Sequence, residues 1–279
     1  MNIEIADQPY GGLPTGERTV FAVANVIEGV IVEFRFVGNE KVDLIETLPE
    51  AIELFSNFGA TKIEPFQQNA ISVNLNAEGA ANSSVAIMDS GWRITDPELD
   101  MIFTLTSGLA SIQLRTYASW SETIVPKLYC LLQAVEKLAK PKIVSRVGLR
   151  YINRLIGEEG KSCAQWSGRI KNEFLGPISS SSLGPKIRDS QQILGINLEP
   201  GIGANLRHGP LVDASSGQGN YIIDIDVFNE ISQPIEIESL MLLAQRLNRT
   251  AFSIFKLMMT ENEISNLNSD SLSLVAKEG

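Results

Sequence analysis

Residues Val144-Ser-Arg-Val-Gly-Leu-Arg-Tyr-Ile-Asn-Arg154 alternate so regularly that an extended strand sorts them into two chemically opposite sides. Val147, Leu149 and Tyr151 fall on one side, and Arg146, Gly148, Arg150 and Arg154 on the other. The first side belongs against a core. The second must meet carboxylates, a ligand or water, because a buried charge without a partner is too costly. This one segment therefore calls for a sheet with an apolar face and a charged face.

Other segments repeat the pattern. In Val30–Val37, Val30, Val32, Phe34 and Phe36 alternate with Ile31, Glu33, Arg35 and Val37. In Tyr221–Phe228, Ile223, Ile225 and Val227 alternate with Asp224 and Asp226. Three strands at about 62–75, 84–95 and 100–117 follow one another without room for helices, so an antiparallel meander is expected, with Gly108 splitting the third. A further strand is expected near 191–198.

Helices announce themselves by caps and by 3.6-residue periodicity. Thr47 and Glu50 have capping-box spacing before a helix to Phe58, with Leu48, Ile52 and Phe55 turned inward. Ser119 and Glu122 open a long helix with the stripe Ile124, Leu128, Leu131, Val135 and Leu138, ended by Pro141. Another runs from about Glu236 to Met258 on Leu240, Leu243, Leu247, Ala251 and Ile254, and Thr260 to Glu263 caps a short one. Residues 176–185 read as an exposed loop, 200–203 as a turn, and His208 as a loop histidine.

The expected fold is α+β: largely antiparallel sheet with long helices packed on one face, two-lobed, and pseudo-repeated in that strands followed by a long helix occur twice. The organisation read from the chain is a loosely held arm at 1–18, a lobe at 19–156 and a second at 157–279 sharing one core with the first.

Composition narrows the function classes. A net charge of -10 opposes general nucleic-acid binding, which needs a basic footprint. The first residues lack a basic region followed by an apolar one, and no stretch approaches a membrane span, so a cytoplasmic protein without membrane association is expected. Cys130 and Cys163 offer no disulfide framework, and a single histidine excludes sites built on two imidazoles; no cofactor and no metal set are read. A phosphate-binding loop, a dinucleotide fingerprint and a nucleophile elbow are absent from the sequence.

Gly91-Trp-Arg-Ile-Thr95, Thr116-Tyr-Ala-Ser-Trp120 and Arg146-Val-Gly-Leu-Arg-Tyr-Ile-Asn-Arg154 together resemble, in order and spacing, a sporadically distributed prokaryotic family of unknown function. The similarity extends to Glu28–Phe36 and to the last long helix, where Asn248 stands in place of the family's histidine. The resemblance implies a defence or toxin–antitoxin setting and supplies no catalytic residues.

Two functional readings follow. In the first the chain is a non-enzymatic interaction or regulatory protein with a protein partner, Tyr117 and Trp120 being candidate contacts and a homo-oligomer remaining open. In the second, Arg146, Arg150 and Arg154 face Glu33, Arg35, Asp224 and Asp226 across a polar groove. Gly148 would open space between arginines about 13 Å apart, at ~3.3 Å per residue, for phosphate or a nucleotide, with acids to hold a metal for hydrolysis. Those charged strand faces faintly resemble triphosphate tunnel enzymes, of whose alternating acidic run only Glu33-Phe-Arg35 is present. Plain cross-strand ion pairing is the alternative to both uses of the arginines.

Overall fold

The computed structural model describes residues 8–15, 26–37, 46–56, 62–75, 81–98, 100–212 and 217–267, with side chains left undescribed at 68–75 and 81–89. Its strands are β1 (Ile27–Val37), β2 (Lys62–Leu75), β3 (Ala81–Asp96), β4 (Met101–Thr106), β5 (Leu109–Leu114), β6 (Ile143–Ile156), β7 (Gln192–Glu199), β8 (Ile202–Val212), β9 (Gly219–Asn229) and β10 (Gln233–Pro234). They join in one sheet of order β2-β3-β4-β5-β1-β6-β9-β8-β7, with β10 beside β6. Every pairing is antiparallel. The arginine strand β6 lies between β1, which carries Glu33, and β9, which carries Asp224 and Asp226.

Alternation decides which face becomes the core. Val30, Val32 and Phe34 of β1, Leu149 of β6 and Ile223 and Val227 of β9 are fully buried on the same side. Against that side lie α4 (Ile237–Met258), which contacts β6 and β9, and α2 (Val125–Ala134), which contacts β5 and α4; between them in the chain comes the single turn α3 (Asn172–Leu175). The stripes expected on both helices are all buried. Ser119 accepts the Glu122 backbone N–H at 3.1 Å, as its capping position requires, and Lys140 closes the helix in the left-handed region with φ 45°. Pro126 stands inside this continuous helix with no N–H to give, and wider π turns lie on either side of α2, at Trp120–Ile124 and Val135–Ala139. The meander is present as expected, β4 and β5 being split at Ser107-Gly108. Thr260 Oγ1 accepts the Glu263 N–H at 3.2 Å and caps a helix over 261–267.

Several sequence expectations need correction. Helix α1 (Leu48–Ser56) turns Ala51 and Phe55 inward and leaves Leu48 and Ile52 exposed, because Phe55 meets Phe103 at 5.5 Å and fixes the rotation. Thr47 is also the acceptor for the Trp92 indole at 3.0 Å. The expected turn forms at Pro200-Gly201, with Gly201 in the left-handed region at φ 75°, but from Ile202 the chain is β8, and the loop read at His208 is strand, placing His208 in the core at 1% exposed. Within the loop read at 176–185, Ile178 and Gly184 are buried.

The described part of the N-terminal arm is held. Tyr10 donates its N–H to Thr250 Oγ1 at 3.0 Å, Ser253 donates to the Pro14 carbonyl at 2.9 Å, and the Arg246 guanidinium covers the Tyr10 ring at 3.6 Å. Residues 1–7 and 16–18 of the expected arm lie outside the described residues.

Candidate functional site

Because β1, β6 and β9 are neighbours in register, their charged sides form one field on the face away from α2 and α4. Arg35 stands opposite Arg146, Glu33 opposite Gly148, and Arg150 opposite Asp226. A strand-by-strand reading predicts these residues; the register decides who meets whom.

Arg146 does not point out to a ligand. It bridges the two flanking strands, giving Nη1 to Glu33 at 3.0 Å and Nη2 to Asp226 at 3.1 Å, while its guanidinium lies over the Phe228 ring at 5.2 Å. Gly148 permits this: a Cβ there would come within 2.4 Å of Arg146 Nη1. The space expected to receive an anion therefore holds a guanidinium of the protein itself.

Arg150 makes a forked pair with Asp224, Nε to Oδ1 at 2.6 Å and Nη2 to Oδ2 at 2.7 Å. That fork raises the Arg150 pKa above its ordinary value against the opposing effect of burial. Arg35 adds its Nε to Glu33 at 2.8 Å, and Arg154 pairs with Glu28. All seven residues read from the sequence as ligand candidates thus share one face, each engaged by an opposite charge of the same protein.

Two members of the field were not singled out. Glu28 lies just before the clear part of β1, and Arg207 reaches Asp224 at 3.9 Å from β8. The signal for Arg207 is the alternation of Ile202, Ala204, Leu206 and His208 with Gly203, Asn205 and Arg207, which the glycines around it disguise.

The same face also carries apolar side chains. Ile156 of β6 and Leu211 of β8 flank Asn220 of β9 in one row and are 57% and 56% exposed.

Tyr117 and Trp120 are placed differently from the expectation of partner contact. Trp120 is 9% exposed, and Tyr117 packs edge-on against Tyr151 at 5.9 Å. Burial raises the pKa of both tyrosines. The pair pins the start of the α2 region onto β6, and Tyr151 in turn donates to Asn248 Oδ1 at 2.8 Å. Asn248 is thus tied to the arginine strand from its inner side.

On the inner side of β8, His208 Nδ1 is 2.8 Å from the Tyr221 hydroxyl and its ring stands edge-on to Phe174 at 6.0 Å. Burial lowers its pKa to about 4, so it is neutral near pH 7. The thiols are poor nucleophiles here: burial pushes Cys130 up to about 12 and, with the Asp189 charge, raises Cys163. No cluster of three metal-ligating residues occurs among the described residues, and no helix among them is long and apolar enough to cross a membrane.

Compared with protein-family models, curated proteins and solved structures, the chain finds no match.

Proposed function

We propose that this is a non-enzymatic interaction or regulatory protein that docks a protein partner on the charged face of its sheet, the one turned away from α2 and α4. One observation carries the reading: on that face the charges are turned toward each other, while Ile156 and Leu211 remain more than half exposed. Internally paired charges need no small anion, and exposed apolar side chains among polar ones are the usual make-up of a protein interface. The resemblance to a sporadically distributed prokaryotic family supports a defence- or toxin–antitoxin-associated setting, and two buried free cysteines support a reducing, cytoplasmic one.

The strand order supports the two-lobed, pseudo-repeated reading as well. In each half a first strand, β1 or β6, lies at the centre. A later meander then ends beside it, at β5 or β9, before a helix follows.

Co-purification from the native host tests the proposal. The native chain is expected to retain a partner protein that an Ile156→Asp/Leu211→Asp variant of unchanged melting temperature loses. Recovery of the protein alone, or equal recovery by both chains, overturns it.

A second reading, a phosphate- or nucleotide-binding protein or a metal-dependent phosphohydrolase, is favoured by one feature. Five arginines (35, 146, 150, 154 and 207) meet four acids (28, 33, 224 and 226) in the field, and Arg207 is half exposed. Melting with nucleotides, polyphosphate and magnesium separates the readings, since a ligand bound by the folded state alone raises the midpoint. An unchanged midpoint at saturating concentrations removes the second.

A further inference from the structure

The sheet has two edges, and they are built on opposite principles. At one end, the described part of β2 carries Lys62 and Glu64, 64% and 47% exposed and paired at 2.8 Å, followed by Pro65. Charge and proline are the ordinary means of keeping an edge from pairing with another chain. At the other end, β7 reads Gln192-Ile-Leu-Gly-Ile-Asn-Leu-Glu199, with no proline and no charge before its last residue. Ile193 is 66% exposed and Leu194 39%, one on each side of the sheet.

Nothing among the described residues calls for a glycine at position 195, in the middle of β7. A Cβ there would meet nothing within 4 Å, and the register irregularity of the strand lies further on, between Asn197 and Glu199. A glycine inside a strand weakens it and commonly marks the close approach of another backbone. The far end of β7 is already occupied: Gly11 donates its N–H to Glu199 Oε1 at 3.2 Å and its backbone lies against Leu198. Residues 192–197 are what remains of the edge.

We propose that this edge pairs antiparallel with the same edge of a second copy of the chain, continuing the sheet across a two-fold axis. An antiparallel edge is complementary to itself, because a two-fold rotation brings each donor opposite an acceptor. Charge favours this occupant. Two copies of a chain of net charge -10 repel overall, and β7 up to Asn197 brings no like charges into the contact. With the two-fold axis at Gly195, the pairing would set Leu194 opposite Ile196 of the other copy on one sheet face and Ile193 opposite Asn197 on the other. The inference is independent of the proposed partner site, which uses Ile156 and Leu211.

Light scattering on the full-length protein across a wide concentration range tests it. The expected result is a species of twice the monomer mass whose dissociation constant rises about tenfold or more in an Ile193→Lys/Leu194→Lys variant of unchanged monomer fold. Ile156→Asp/Leu211→Asp should leave the mass unchanged. Both native cysteines are buried, so a Gly195→Cys chain gives an independent reading: mild oxidation should yield a covalent dimer. A monomer at every concentration, a dimer indifferent to the two lysines, or a β7 edge protected only by a different polypeptide would each overturn the proposal.

Discussion

The two faces of β6 are a comparison within a single strand. Val147 and Leu149 on the inner face are 1% and 0% exposed and are covered by α4 and the rest of the core. Arg146 and Arg150 on the outer face are 15% and 36% exposed at their side chains and are satisfied by acids on the neighbouring strands β1 and β9. The inner face is held by burial, worth ~25 cal/mol per Å² of apolar surface. The outer face is held by partly buried ion pairs, each worth on the order of 1 kcal/mol. Stability is therefore concentrated on one side of the sheet, which leaves the other side free to answer to function.

The sharpest way to break this comparison is to delete from each face in turn and measure unfolding by denaturant. Leu149→Ala should cost most, about 2–5 kcal/mol, because the cavity is enclosed by β1 and β9 on either side. Equal losses from an outer-face deletion would remove the contrast.

Next comes the one titratable imidazole on the inner face. The folded pKa of His208 is depressed to about 4 from 6.5, so between those values the unfolded chain binds more protons. Stability should be complete above pH 6.5 and fall as pH drops toward 4, by up to about 3 kcal/mol at 1.36 kcal/mol per unit. A His208→Asn variant should lack that part of the pH slope; an identical slope in both proteins would show that His208 does not contribute it.

Arg150→Ala should cost on the order of 1 kcal/mol, since Asp224 keeps only the more distant Arg207 at 3.9 Å. Removing both partners, Arg150→Leu with Asp224→Leu, should cost less than the single change, because no charge is then left without its partner. A double mutant worse than the single would mean that the outer face is a stability element after all. The smallest effect is expected from Arg35→Ala, at most a few tenths of a kcal/mol, the side chain being 57% exposed.

Much of this could be read in advance, for specific reasons. Period-two alternation identified β1, β6 and β9 and their charged sides, and 3.6-residue stripes with a serine cap identified α2 and α4, because these signals are local. β8 was lost because Gly203, Gly209 and Pro210 resemble turn chemistry, although in the sheet two of them only face neighbouring strands: Gly203 meets Phe228, and Pro210 stands opposite Tyr221. The rotation of α1 was misjudged for a similar reason, since Leu48 and Ile52 have helical spacing but the contact with Phe103 turns Ala51 and Phe55 inward. The grip on residues 8–15 involves partners some 240 positions away, which no local pattern announces.

Residue order alone establishes strands with one apolar and one charged side, long amphipathic helices to cover the apolar one, and an arginine row in need of acids. Side-chain period is a property of the chain, and it survives whatever the strands pair with. That β6 lies between β1 and β9, in a register that lays Arg146 across Gly148 and between Glu33 and Asp226, emerges only once the sheet is assembled. Register belongs to pairs of strands and not to one, so whether an arginine faces a ligand or its own protein is settled when distant segments meet.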